Sequence, residues 1–339
     1  MSIRYRPMRP KDVAECVNLI ARHPVAGPRY GSAIGDLRSA WLTLLGSEGF
    51  LTFVFEEEQQ GAVRLLGGGA SVFISDEFLQ KIKTPPFFWI GPELAKRVTR
   101  GESPLLSDQE VRCANSSTGL NCVIWQLCLR PEHTKRPDVC NHVMSTFLQE
   151  HRGFAIKELI ALQAIFEEEL QWIPAAGALS VDRRGGSYAE KVDGSGHELL
   201  DHPHVFGLTR ELAVSRMGTW LGSLFTYQSP RFGFRPSEKR LLLSALRGGT
   251  DEELSEELTV SLSAVKKAWR SIYDRAAPYL FVFDEDCTEM GNGTPERGKG
   301  KKQRLLSYLR EHPEELRPHS PKLLLNARGD STSRHIHLS

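Results

Sequence analysis

Between Phe234 and Tyr273 the chain carries helical periodicity and nothing else, broken at Gly248-Gly249 and again at Thr259-Val260-Ser261. Helices this short cannot persist alone in water, so their apolar stripes must pack on one another. Pro236 opens the first helix, Leu242, Leu243 and Leu246 line its inner face, and the glycine pair ends it. Thr250, with Glu253 three residues on, is a capping-box start for the second, whose buried edge is Leu254 and Leu258. Val265, Trp269 and Ile272 point the third helix inward, which leaves Ser263, Lys266, Lys267 and Arg270 on its other faces. The spacing therefore predicts an all-α C-terminal domain over residues 233–283.

Charge narrows what that domain can do. The whole chain balances 43 Lys+Arg against 42 Asp+Glu, for a formal net charge of +1. Bulk attraction to nucleic acid or to a membrane is thereby excluded, and any such binding must come from a local patch. Across Arg235–Arg275 eight basic residues face seven acidic ones. Five of those acids (Asp251, Glu252, Glu253, Glu256, Glu257) fall on the second helix, whereas Lys266, Lys267, Arg270 and Arg275 lie on or just after the third. Three short helices with a tight turn between the last two make a helix-turn-helix, whose final helix enters a DNA major groove.

The stretch resembles the LuxR-type helix-turn-helix of bacterial transcription regulators. The matching residues are Pro236 and Glu238, Leu242 and Leu246, Gly249, Glu253 and Leu254, Leu258-Thr-Val-Ser261, Val265-Lys266 and Ile272-Tyr273. Thr259 stands where that family usually has Gly or Asn, and the second helix is unusually acidic. The resemblance implies Lys266 on a phosphate, Ser263, Lys267 and Arg270 near base edges, and Ser261 hydrogen-bonding at the helix start. It also implies double-stranded DNA as partner, a homodimer on paired half-sites, and a contact with RNA polymerase. A three-helix dimerisation or docking module is the alternative for this stretch. A sigma-factor region-four domain shares the helix pattern, but the N-terminal part is no sigma scaffold.

Upstream, strand-like and helix-like segments alternate, which predicts an α/β domain with a mixed sheet flanked by helices. Ile3–Arg6 is extended, Pro10 and Asp12 open an amphipathic helix, and a second helix runs from about Ile34 to Leu45. Phe50–Phe55 and Ala62–Ile74 read as a hairpin turning at Glu57–Gly61, and Leu120–Leu129 as a central strand. A helix Asp138–His151, a strand Ile156–Gln163, a helix Phe166–Trp172 and strands at Gly177–Val181 and His204–Thr209 follow. Together with the opening Ile3-Arg-Tyr-Arg-Pro-Met-Arg-Pro-Lys-Asp12, this order resembles GNAT-type acyltransferases over roughly residues 1–210.

That resemblance implies an acyl-CoA loop after the central strand, where a glycine-rich run lets backbone N–H groups cradle pyrophosphate. Here the run is Thr134-Lys-Arg-Pro-Asp-Val-Cys140, without glycine. Pro137 removes a donor and Asp138 brings negative charge to the helix start. Arg130, Lys135 and Arg136 remain as anion-attracting residues of a degenerate loop. The family's tyrosine acid has no counterpart in Phe166–Trp172, so no catalytic residue is assigned.

The expected organisation is an α/β domain over 1–212, a linker over 213–232, the helix-turn-helix over 233–283, a Gly- and Lys-rich mobile linker over 284–302, a short helix over 303–317 and an unstructured tail over 318–339. The expected function is a DNA-binding transcription regulator without cofactor, its first domain serving as sensor or dimerisation module. An N-acetyltransferase using acetyl-CoA with a fused DNA-binding tail is the alternative, and a pure interaction protein a third reading. No apolar run approaches the ~20 residues that span a bilayer, and no apolar segment follows the charged N-terminus. Six scattered cysteines read as reduced thiols in a bacterial cytoplasm. His197 and His202 stand five apart, off the shared face that a zinc site needs, and His335 and His337 are too few for a metal. Gly67-Gly68-Gly69 reads as a bulge or close backbone approach inside a strand, and Phe87-Phe88-Trp89 as core.

Overall fold

The computed structural model describes residues 2–59, 61–164, 176–181, 188–189, 204–280 and 299–319. The chain divides into two compact units, Met1–Tyr227 and Gln228–Ser339.

The first unit is a mixed α/β domain. Strand β1 (Ser2–Arg6) leads to α1 (Pro10–Arg22), α2 (Ala26–Tyr30) and α3 (Ile34–Leu44), then to the hairpin β2 (Phe50–Gln59) and β3 (Ala62–Ile74). Helices α4 (Asp76–Lys83), α5 (Ile90–Thr99) and α6 (Asp108–Asn115) precede β4 (Leu120–Leu129), and α7 (Pro137–His151) leads to β5 (Ile156–Ala164). Short strands β6 (Leu179–Val181) and β7 (Tyr188–Ala189), then β8 (His204–Thr209) and α8 (Arg210–Ala213), follow, with 3-10 turns at Val214–Arg216 and Gly222–Phe225. The sheet has eight strands in the order β1-β2-β3-β4-β5-β8-β6-β7. Neighbours among β1 to β4 are antiparallel, whereas β4 and β5 are parallel, joined through α7.

Alternation along the strands supplies a core on each face. Phe50 and Val54 of β2, with Val123 and Trp125 of β4, pack with Val13, Ile20, Leu37 and Trp41 of α1 and α3. Leu51, Leu120 and Cys122 instead join Phe147, Phe154 and Phe206, while Phe53 and Phe55 meet Val139 and Val143 of α7.

Gly67, Gly68 and Gly69 sit where the sheet is most crowded. Phe55 pairs with Gly67 and Glu56 with Leu65, so Leu66 is the extra residue of a bulge. A Cβ on Gly67 would stand 2.1 Å from the Cys128 carbonyl oxygen, and one on Gly69 would stand 2.7 Å from the Phe53 ring. The expected close approach is thus present.

Two sequence expectations are corrected in this unit, and one unassigned stretch is filled. Glu57 and Glu58 belong to strand β2, not to a turn, because arginines on neighbouring elements neutralise the acidic run. Arg6 binds both Glu56 and Asp12 at 2.6 Å, and Arg136 binds Glu57 at 2.8 Å. Helices α4, α5 and α6 fill a stretch that the periodicity left unassigned. The expected linker over 213–232 is in part packed, since Ala213, Leu221 and Leu224 are buried in the first unit's core. Phe88 packs as expected against the core shared with α1 and α3, and the Arg29 guanidinium lies 4.3 Å from the Trp89 ring centroid. The helix expected at Phe166–Trp172 and the pair His197 and His202 lie outside the described residues.

The elements of the second unit among the described residues are helices: α9 (Pro236–Leu246), α10 (Asp251–Leu258), α11 (Leu262–Leu280) and α12 (Lys299–Glu311). Residues 299–302, expected in a linker, open α12, and the segment 303–317 is not a satellite. Leu305, Leu306, Leu309 and Leu316 share one core with Leu242, Val265, Trp269 and Ile272. Buried Glu315 accepts the backbone N–H groups of Arg231 (2.8 Å) and Phe232 (3.0 Å), which fastens the end of this segment to the start of the unit.

The bulge geometry gives a direct test. Gly67→Ala is expected to destabilise the first unit by about 1–3 kcal/mol through overpacking, read as loss of hydrogen-exchange protection in β3 and β4.

Candidate nucleic-acid interface

The geometry of α11 is set by a buried carboxylate. Glu238, in the first turn of α9, is only 3% exposed. Its Oε2 accepts the Arg235 N–H at 2.7 Å, its Oε1 accepts the Ser271 hydroxyl at 2.8 Å, and Arg275 pairs with it at 3.2 Å. Burial pushes its pKa up, but the Arg235 N–H, the Ser271 hydroxyl and the Arg275 charge outweigh that and hold it below the ordinary glutamate value. Ser271 and Arg275 both lie on α11, so one anion locks that helix against α9.

The turn between α10 and α11 is built from local hydrogen bonds. Thr250 and Glu253 form the expected reciprocal cap, with Thr250 N–H to Glu253 Oε2 at 2.7 Å and Glu253 N–H to Thr250 Oγ1 at 3.2 Å. Thr259 ends α10 with φ 55° and ψ 46°, a left-handed conformation that a β-branched residue adopts at a cost. Val260 N–H reaches the Ser255 carbonyl at 3.0 Å, closing the turn. Ser261 Oγ then accepts the Ala264 N–H at 3.2 Å and lies 2.9 Å from Ser263 Oγ. The Ser261 hydroxyl therefore caps the start of α11.

On α11 the inward and outward faces separate as the spacing predicts. Val265, Trp269 and Ile272 are buried. Ser263, Lys266, Lys267 and Arg270 are exposed, and among the described residues none of these three cations forms an ion pair. The acids of α10 are partly consumed within the unit. Asp251 accepts Trp269 Nε1–H at 3.1 Å and Lys302 Nζ at 2.9 Å, Glu253 is the cap, and Glu257 pairs with Arg247. Lys302 also stands 4.8 Å from the Trp269 ring centroid, so α12 braces the inner side of α11. These tertiary uses explain why α10 can be so acidic beside a basic helix.

The loop after β4 is different. Pairing of β4 with β5 runs from Leu120↔Ile156 to Val123↔Ile160, and β4 continues beyond it through an irregularity between Ile124 and Gln126. Arg130 donates to the Leu65 carbonyl at 2.7 Å and pairs with Glu15. Arg136 binds Glu57 at 2.8 Å and Asp138 at 2.6 Å, and these hydrogen bonds hold both carboxylates below their ordinary pKa values. Lys135 is exposed. Two of the three candidate anion ligands are thus neutralised by carboxylates from α1, β2 and α7. Asp138 is legible as the wrong charge in the loop, whereas Glu15 and Glu57 enter only through the tertiary fold.

No group of His, Cys, Asp and Glu able to hold a metal ion occurs among the described residues, and no described helix is long and apolar enough to cross a membrane. No family model matches the chain, and no curated protein matches it. Among solved structures, the loading GNATL domain of CurA from Lyngbya majuscula aligns at 8% identity with a TM-score of 0.33, covering 62% of this chain and 98% of that one.

Two outcomes test the frame around α11. Glu238→Gln is expected to destabilise the α9–α11 contact by about 1–3 kcal/mol at neutral pH. A carboxylate whose folded pKa is depressed stabilises above its unfolded value and loses that contribution as pH falls through the folded value. The difference between wild type and variant should therefore shrink below about pH 4.3, as read by hydrogen exchange of α11 amides. Thr259→Gly relieves the left-handed β-branched residue and should raise protection of α10 and α11 by about 1 kcal/mol in the same measurement.

Proposed function

We propose that the protein is a DNA-binding transcription regulator that reads duplex DNA through the outward face of α11. One observation carries this reading. Lys266, Lys267 and Arg270 project from a single helix with no carboxylate partner among the described residues, while three of the five acids of α10, Asp251, Glu253 and Glu257, are held by Trp269 and Lys302, by a cap and by Arg247. Unneutralised cations on a short exposed helix can displace counterions from phosphates. Ser263 and Arg270 fall where base edges are read, and Ser261 sets the helix start. The LuxR-like order of Pro236, Glu238, Gly249, Glu253, Leu254, Val265 and Ile272 supports the same assignment. It brings a homodimer on paired half-sites and a contact with RNA polymerase as proposed partners in a bacterial cytoplasm.

The first unit takes a sensor or dimerisation role in this proposal. Its strand order, antiparallel through β4 and then parallel to β5, supports a GNAT-like arrangement. Acyl transfer is disfavoured because Arg130 and Arg136 are already paired and the loop lacks an amide cradle.

The test uses the full chain. Genomic footprinting identifies a bound duplex, and binding to it is then measured across a salt series. Lys266→Ala with Arg270→Ala should weaken binding and lower the log–log salt slope by ~0.7–0.9 for each lost phosphate contact. An unchanged slope would return the second unit to a docking module. Acetyl-CoA is expected not to bind saturably at micromolar concentration, and binding with turnover would restore the acyltransferase reading.

A further inference from the structure

Two thiols of the first unit meet at Gly68, the middle of the three crowded glycines of β3. Gly68 is the register partner of Cys128 on β4. Because Gly68 carries no side chain, the space over it is taken by α1: a Cβ there would stand 3.0 Å from the Cys16 sulfur. Cys128 reaches the same spot, its Sγ donating to the Gly68 carbonyl at 3.3 Å, and the Cys16 thiol hydrogen-bonds to Cys128. Both belong to the core that α1 and α3 share with the sheet. Glu15, next to Cys16, pairs with Arg130, two residues beyond Cys128, so helix and strand are clamped side by side at this level.

The other described cysteines are placed differently. Cys122 is buried in the core on the opposite face of the sheet, Cys113 is exposed and Cys140 half-buried. Within the pair the two sulfurs are not equivalent. The bond to Cys128, with burial, raises the Cys16 pKa, which keeps Cys16 a protonated thiol that donates to Cys128. Cys16 is wholly enclosed, whereas Cys128 retains 7% exposure. A reagent from solvent therefore meets Cys128 first, with a second thiol already in contact behind it.

We infer that Cys16 and Cys128 form a dithiol that a peroxide closes to a disulfide, locking α1 to β4. The Cys128 sulfur attacks one oxygen of hydrogen peroxide, the O–O bond breaks, and the departing hydroxide takes the Cys128 proton as water, leaving a sulfenic acid. The Cys16 sulfur then attacks the Cys128 sulfur, the S–O bond breaks, and hydroxide leaves with the Cys16 proton as a second water. Two thiols and one peroxide thus give one disulfide and two waters, with two electrons passing from sulfur to oxygen. The new bond closes a long loop between α1 and β4 and so stabilises the folded first unit. This goes beyond DNA recognition and does not rest on it, because every residue involved lies in the first unit.

The test treats the reduced full-length protein with hydrogen peroxide, unfolds it in iodoacetamide and maps its peptides by mass spectrometry without reductant. Chymotryptic cleavage after Trp125 separates Cys128 from Cys113 and Cys122. The Cys16 and Cys128 peptides are expected as one linked species, two hydrogens lighter than their sum and released by dithiothreitol, while Cys122 takes the alkyl label. The linked protein should melt about 5 °C or more above the reduced one, reversibly with dithiothreitol. In Cys16→Ala, peroxide should leave Cys128 as a sulfenic acid that dimedone traps. The wild-type mapping decides the matter even if that variant does not fold. Alkyl label on both Cys16 and Cys128 after peroxide has oxidised the exposed Cys113, linkage of either to another cysteine, or a linked protein that melts no higher would each overturn the proposal.

Discussion

The placement of α11 in the second unit depends on a buried carboxylate, Glu238. Glu238 joins the backbone of α9's first turn to a hydroxyl and a guanidinium on α11, and each bond is to an ionised acceptor, the strong class of hydrogen bond. Leucine packing alone would let α11 slide or roll by a fraction of a turn. The Glu238 bonds fix both its rotation and its position along its own axis, and so determine which side chains look outward. The hydroxyl cap at Ser261 and the left-handed Thr259 complete the constraint from the other end of the turn.

Charge compensation organises the rest of the chain as well. A protein with a net charge of +1 could scatter its ions at random, yet arginines here are repeatedly set against carboxylates both near and far along the chain. Arg6 gathers Asp12 and Glu56, Arg136 gathers Glu57 and Asp138, and Arg247 takes Glu257. At the β4–α7 loop such pairing matches Arg130 and Arg136 to carboxylates. On the outer face of α11 no such pairing occurs among the described residues. Which cations are left over is a property of the fold and not of the composition.

This explains what could be read in advance. The helices of the second unit were legible because caps and stripes are local: Thr250 with Glu253, the glycine pair after Leu246, and the Val265–Trp269–Ile272 face. The central strand and the crowded glycines of β3 were legible for the same reason. Helix α6 carried a readable signal, Ser107 with Glu110 three residues on, that went unused beside its weak apolar stripe. The acidic end of β2 looked like a turn because its neutralising partners, Arg4, Arg6 and Arg136, are brought in by other elements. Membership of α12 in the core was hidden by the polar stretch before it.

The clasp formed by α12 and Glu315 has a practical meaning for anyone dissecting this protein. A fragment cut after Leu280, which a three-helix reading of the unit recommends, would strip Leu305, Leu306, Leu309 and Leu316 from the interior and leave the amides of Arg231 and Phe232 without their acceptor. Such a truncation would present a greasy trough along Leu242 and Ile272, and its sluggish solubility or poor affinity for nucleic acid would report on the missing staple rather than on α11 itself.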